Sequence, residues 1–76
     1  MPVVHIYTAE GWVSPRRKQM MIEKVTDAVV AAEGREEVRA MTYVLVHDVG
    51  DGGWGYQGRV TRQTDFKALI PPDPKD

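Results

Sequence analysis

The chain has no cysteine among its 76 residues, which excludes a disulfide framework and any thiolate metal site. It has only two histidines, His5 and His47, and neither shares metal-ligand spacing with carboxylates on one element, so no metal is expected. Charge of one sign is missing too. Ten basic and 11 acidic residues leave a net charge of −1, whereas a nucleic-acid-binding face is strongly basic. No apolar run approaches the ~20 residues that span a bilayer. The start, MPVVHIYTAEG, has neither a basic n-region nor a small-residue cleavage site, so the expected location is the cytoplasm. The sequence also lacks a P-loop, GxGxxG, HExxH and GxSxG. Gly52, Gly53 and Gly55 imitate a phosphate-cradling loop, but no helical pattern follows them.

A domain of this length buries only about 60% of its unfolded surface. Without disulfide or metal, self-association is the remaining stabiliser, most commonly as a closed symmetric homo-oligomer. Val3 to Thr8 reads as a strand with apolar groups on both faces: Val4 and Ile6 on one, Val3, His5 and Tyr7 on the other. Such a strand is covered on both sides, and a single helix covers one. Ser14-Pro15 starts that helix as N-cap and first helical residue. Met21, Val25, Ala28, Val29 and Ala32 recur at helical spacing, Met20 and Ile22 widen the stripe, and Gly34 closes it. The spacing predicts a helix from Ser14 to Glu33, a charged connector over Arg35 to Arg39 and a second strand from Met41 to Val49. Strand, helix and strand imply a crossover with parallel strands. Gly50 to Gly53 is a turn, Trp54 to Val60 a short irregular hairpin, and the Pro71-Pro72-Asp73-Pro74 tail is extended or mobile.

The candidate chemical group is Pro2. Methionine removal is efficient before a small residue such as proline, and it exposes a secondary amine. An α-amino group titrates near ~7.7–8.0. Desolvation and nearby cations lower that value, towards what proton abstraction beside a carbonyl requires.

Pro2, the Glu10-Gly11 turn, the long helix, the His47-Asp48-Val49 strand end and the Trp54-Gly55-x-x-Gly58 hairpin together resemble the 4-oxalocrotonate tautomerase family, the short-chain branch of the tautomerase superfamily. The resemblance spans Pro2 to Arg62 and implies an α/β fold of β-α-β units assembling as a hexamer or trimer of dimers, with sites shared between subunits. Residues 1–62 then form the tautomerase-like domain and 63–76 a Pro-rich, extended C-terminal segment. The resemblance implies an amino-terminal proline that acts as general base and then general acid on an enol or keto acid, without cofactor. Trp54 matches the aromatic wall of the family's site. Where the family carries its first arginine, after the Glu-Gly turn, this chain has Trp12. Its second arginine aligns with Tyr43 when counted from the strand end, and with Arg39 or Ala40 when counted from the helix. Arg39, Arg59 or Arg16 is then the source of the missing cation, and Tyr43 a donor to an oxyanion. A pocket with Trp12 and Trp54 suits a monocarboxylate or a more apolar enol.

Two other readings compete. The same scaffold carries hydration-type dehalogenation or decarboxylation. Alternatively, the chain is a catalytically silent subunit of a hetero-oligomer. More modest roles also exist for the singled-out residues: His5 packed in its strand, His47 bonding structurally, Trp12 at a subunit interface, Arg59 on the surface. Arg16, Arg17 and Lys18 are solvated, although three cations in a first helical turn oppose the helix dipole and favour a carboxylate nearby.

Overall fold

In the computed structural model, which describes residues 1–75, the order is β1 (Val3–Ala9), α1 (Pro15–Glu33), a 3-10 segment (Glu36–Met41), β2 (Tyr43–Val49), the hairpin β3 (Trp54–Tyr56) and β4 (Arg59–Thr61), α2 (Gln63–Phe66) and a 3-10 turn (Lys67–Leu69). Strands β1 and β2 pair in parallel from Val3↔Tyr43 to Ala9↔Val49. The ladder is extended at both ends, by Tyr43 N–H to Pro2 O (3.0 Å) and Glu10 N–H to Val49 O (2.8 Å). This is the β-α-β unit with parallel strands and C-terminal hairpin that the pattern implies.

Local chemistry accounts for the helix limits. Ser14 is extended (φ −69°, ψ 162°) and its Oγ accepts from the Arg17 N–H. Gly34 takes up a left-handed φ of 80° and closes the last turn onto Val30 O. The cationic first turn has found its carboxylates: Lys18 pairs with Asp48 on β2, and Arg17 with Asp73.

Two expectations are corrected, and the charged connector takes a defined form. Glu36–Met41 coils into a 3-10 segment that buries Val38, and Thr42 Oγ1 donates to Val38 O at 2.8 Å. The second strand therefore begins at Tyr43, because Met41 still belongs to that coil. The C-terminal segment is not extended throughout. Asp65 Oδ2 accepts from Arg62 N–H and Asp51 Oδ1 from Gln63 N–H, which satisfies free donors at the start of α2. Beyond it, the proline tail has no regular secondary structure, yet Arg17 Nη2 holds Pro72 O at 2.8 Å and Ser14 Oγ donates to Asp73.

Helix α1 covers one sheet face, where Val4, Ile6, Val44 and Val46 are half-buried. The other face, with Val3, Tyr7, Tyr43 and Leu45, stands open. Among the described residues only Val30, Val38 and Phe66 are buried hydrophobics, and no large side chain is fully enclosed. The molecule is a slab of 42 × 32 × 16 Å with a radius of gyration of 15.0 Å, against about 11 Å for a compact domain of this length. Its accessible surface of 5716 Å² exceeds by about 1,000 Å² what a folded monomer of this mass exposes.

Candidate active site

At the carboxyl end of the sheet, Tyr7, Thr8, Ala9, Trp12, Val49 and Trp54 line a concavity of about 350 Å³. Strand ends supply Tyr7 to Ala9 and Val49. Trp12 arrives through the turn after β1, where Gly11 has φ 84° and Trp12 N–H bonds Ala9 O at 3.0 Å. Trp54 opens the hairpin, whose tight turn puts Gln57 and Gly58 at φ 52° and 76°, the two positive values that a twisted two-residue hairpin favours. Behind both indoles lies Phe66, only 4% exposed. Its ring sits 4.6 Å from Trp12 at 60° and 6.1 Å from Trp54 at 44°, tilted arrangements that suit aromatic quadrupoles. The Trp54 Nε1–H is buried without a hydrogen-bond partner among the described residues.

Gln63 braces the Trp12 turn from the other side. Its Nε2 donates to Glu10 O at 3.2 Å, and a Cβ at Gly11 would lie 1.7 Å from that same nitrogen. Gly11→Ala therefore combines a strained positive φ with a collision. It is expected to expel Gln63 and cost about 1–2 kcal/mol of stability, read as a lower urea midpoint; an unchanged midpoint would show that the brace is dispensable.

Pro2 and Tyr43 are neighbours, but at the opposite end of the sheet. Six residues of strand, roughly 20 Å at 3.3 Å per residue, separate Pro2 from Thr8. Within one chain the structure thus brings together Trp12 with Trp54, and Pro2 with Tyr43, but not the two pairs. Arg39 lies on the helix side, its Nε on Glu36 (2.6 Å) and its Nη1 on Asp27 (2.8 Å). Those two hydrogen bonds raise its pKa above the ordinary guanidinium value. Arg59 is exposed on β4 opposite Tyr56. On the open face His5 Nδ1 meets His47 Nε2 at 2.8 Å, the rings stack at 5.0 Å, and Tyr7 stacks on His47 at 4.6 Å.

Sequence reasoning missed Tyr7, Thr8, Ala9 and Val49 in the lining and Phe66 behind it. Phe66 is the only phenylalanine in the chain, an available signal masked by the proline tail after it. Tyr7 and Val49 read simply as strand residues.

A parallel β-α-β unit with a C-terminal hairpin and an aromatic concavity at its strand ends is the arrangement of a small tautomerase. The family model described as "Tautomerase enzyme" matches residues 2–63, and the chain belongs to this tautomerase family, in its 4-oxalocrotonate tautomerase-like branch. Over 58 residues, covering 76% of this chain and 87% of the relative, it is 43% identical to a 2-hydroxymuconate tautomerase of Comamonas testosteroni. The chain is accordingly an enzyme of the tautomerase/isomerase class, and the silent-subunit reading gives way.

Proposed function

We propose that this enzyme moves a proton on a small unsaturated keto or enol acid, using the Pro2 amine, freed by loss of Met1, as general base and then general acid. The nitrogen takes the enol proton, a conjugated enolate forms, and the same proton returns to a carbon further along. Proton transfer between these positions requires no cofactor. Tyr43, beside Pro2, donates to the developing oxyanion. Exposed Arg59 suits the substrate carboxylate as a bidentate fork. Arg39 is the poorer candidate, since taking up a substrate carboxylate means giving up Asp27 and Glu36. The relative's activity on 2-hydroxymuconate supports enol-acid chemistry.

The observation that carries the reading is the placement of Pro2 and the aromatic concavity at opposite ends of one sheet with an open face and unpaired strand edges. A two-fold operator that sets copies antiparallel puts the Pro2 end of one beside the Trp12/Trp54 end of the next. Each site is then complete only between subunits of a homo-oligomer, a hexamer or trimer of dimers. The surplus surface of about 1,000 Å² is comparable with the ~800 Å² that one partner gives to a standard interface. The unpartnered Trp54 N–H also fits an unfinished environment.

The test couples light scattering to ketonisation of 2-hydroxymuconate and phenylenolpyruvate by the protein lacking Met1. Wild type is expected to be oligomeric and active. Leu45→Glu, a charge on the open face, is expected to dissociate it and reduce turnover at least about 100-fold, in line with loss of a positioned acid/base group. An active monomer would refute the shared site, and an inactive wild-type oligomer the reaction.

A further inference from the structure

We infer that the aromatic concavity receives the apolar end of the substrate, so that the site selects a monocarboxylate enol carrying an aryl or alkenyl group over a dicarboxylate. The inference rests on the proline-based reaction proposed above and adds what that reaction is performed on.

The lining decides it. Three of the six lining residues, Tyr7, Trp12 and Trp54, are aromatic, Ala9 and Val49 are aliphatic, and Thr8 adds one hydroxyl. None carries a charge. A second carboxylate placed against this wall would shed its water and meet no cation from the chain that builds it, the costly way to bury an ion. A planar ring or diene would stack on indole and phenol instead. The part of the site that one chain supplies, about 350 Å³, is already within the ~300–1,000 Å³ of small-molecule sites and has room for one ring.

The wall is held from behind. Phe66 touches both indoles and is the least exposed of the buried hydrophobics, while Gln63 grips the turn that bears Trp12. Phe66 lies beyond the residues that the family model matches, which end at 63. The C-terminal segment therefore shapes this enzyme's substrate pocket through a residue that never reaches the reacting atoms. Trp12 is the specificity determinant and Phe66 a positioning residue.

Steady-state kinetics on the assembled protein lacking Met1 test this, with phenylenolpyruvate as the aryl monocarboxylate and 2-hydroxymuconate as the dicarboxylate. The expected kcat/KM favours phenylenolpyruvate at least tenfold. Trp12→Arg is expected to shift that ratio tenfold or more towards the dicarboxylate. Phe66→Leu, which keeps an apolar side chain, is expected to raise KM for phenylenolpyruvate with kcat nearly unchanged, a split that a general loss of folded enzyme would not produce. A wild-type preference for the dicarboxylate, or an equal loss on both substrates in Trp12→Arg, would overturn the inference. Should neither compound turn over, the proline reaction fails separately, and tryptophan quenching by unreactive ligands decides the pocket. Tighter binding of cinnamate than of muconate upholds it, and the reverse or equality overturns it.

Discussion

Protein that retains Met1 is expected to ketonise phenylenolpyruvate about 10²- to 10⁴-fold more slowly than protein that begins at Pro2, the range that a positioned acid/base group contributes. The two forms have the same side chains from Pro2 onward and differ in the presence of Met1 and in the chemical state of the Pro2 nitrogen. In the longer form it belongs to a peptide bond, and its lone pair is delocalised into the carbonyl. In the shorter form it is a secondary amine. Intact mass reports which form is present, and digestion with an aminopeptidase converts one into the other in a single sample. The pH profile has a definite sign. The reaction needs the unprotonated amine, so kcat/KM is level at high pH and falls about tenfold per pH unit below the pKa. If the shared site proposed above desolvates the amine, the plateau is expected to extend below the ordinary α-amino range, towards neutrality. Pro2→Ala should lose turnover with the oligomer intact, because the Pro2 carbonyl that accepts from Tyr43 N–H is backbone and survives. Equal rates for the forms with and without Met1 would eliminate Pro2 as the base.

Phe66→Ala is expected to lower the unfolding free energy by about 3 kcal/mol, the lower end of the range for truncating a buried phenylalanine. Phe66 is 4% exposed but one of only three buried hydrophobics in a molecule with little core, so it gives up fewer packed contacts than a residue in a dense interior, which holds the loss to the lower end. Against the ~5–15 kcal/mol of a whole domain, that is a large share. The loss should appear as a lower urea midpoint, measured at one fixed protein concentration because self-association of a protein makes its apparent stability concentration-dependent. Trp12 and Trp54 lose their common support together, so tryptophan emission should shift to the red in the folded variant. An unchanged midpoint would mean that α2 adds nothing to the core.

Features encoded locally were legible without the structure. Ser14-Pro15 and Gly34 bracket the helix because capping depends on the backbone of a few adjacent residues. The strand VVHIYT begins at Val3 and runs one residue further, to Ala9. The surplus of apolar groups on β1 pointed to an uncovered face, and Val3 and Tyr7 lie on it. Non-local features were not legible. The Glu36–Met41 segment mixes three charged residues with three apolar ones and shows no clear period, and it coils because Val38 finds a buried site and Arg39 spans Asp27 and Glu36. The tail reads as extended from its prolines, yet its first residues turn because Asp51 and Asp65 cap them and the two indoles offer Phe66 a place.

Sequence by itself determined the β-α-β order, the helix limits, the hairpin and the candidacy of Pro2, all of which depend on residue type and short spacing. Tertiary structure alone decided that Pro2 with Tyr43 and Trp12 with Trp54 occupy opposite ends of the sheet, that Arg39 is taken by Asp27 and Glu36, and that Phe66 builds the aromatic wall. The physical reason is distance along the chain. Parallel pairing directs the starts of both strands to one edge and their ends to the other, and the packing of Phe66, 54 positions after Trp12, is chosen by the space that remains once the sheet, helix and hairpin have come together.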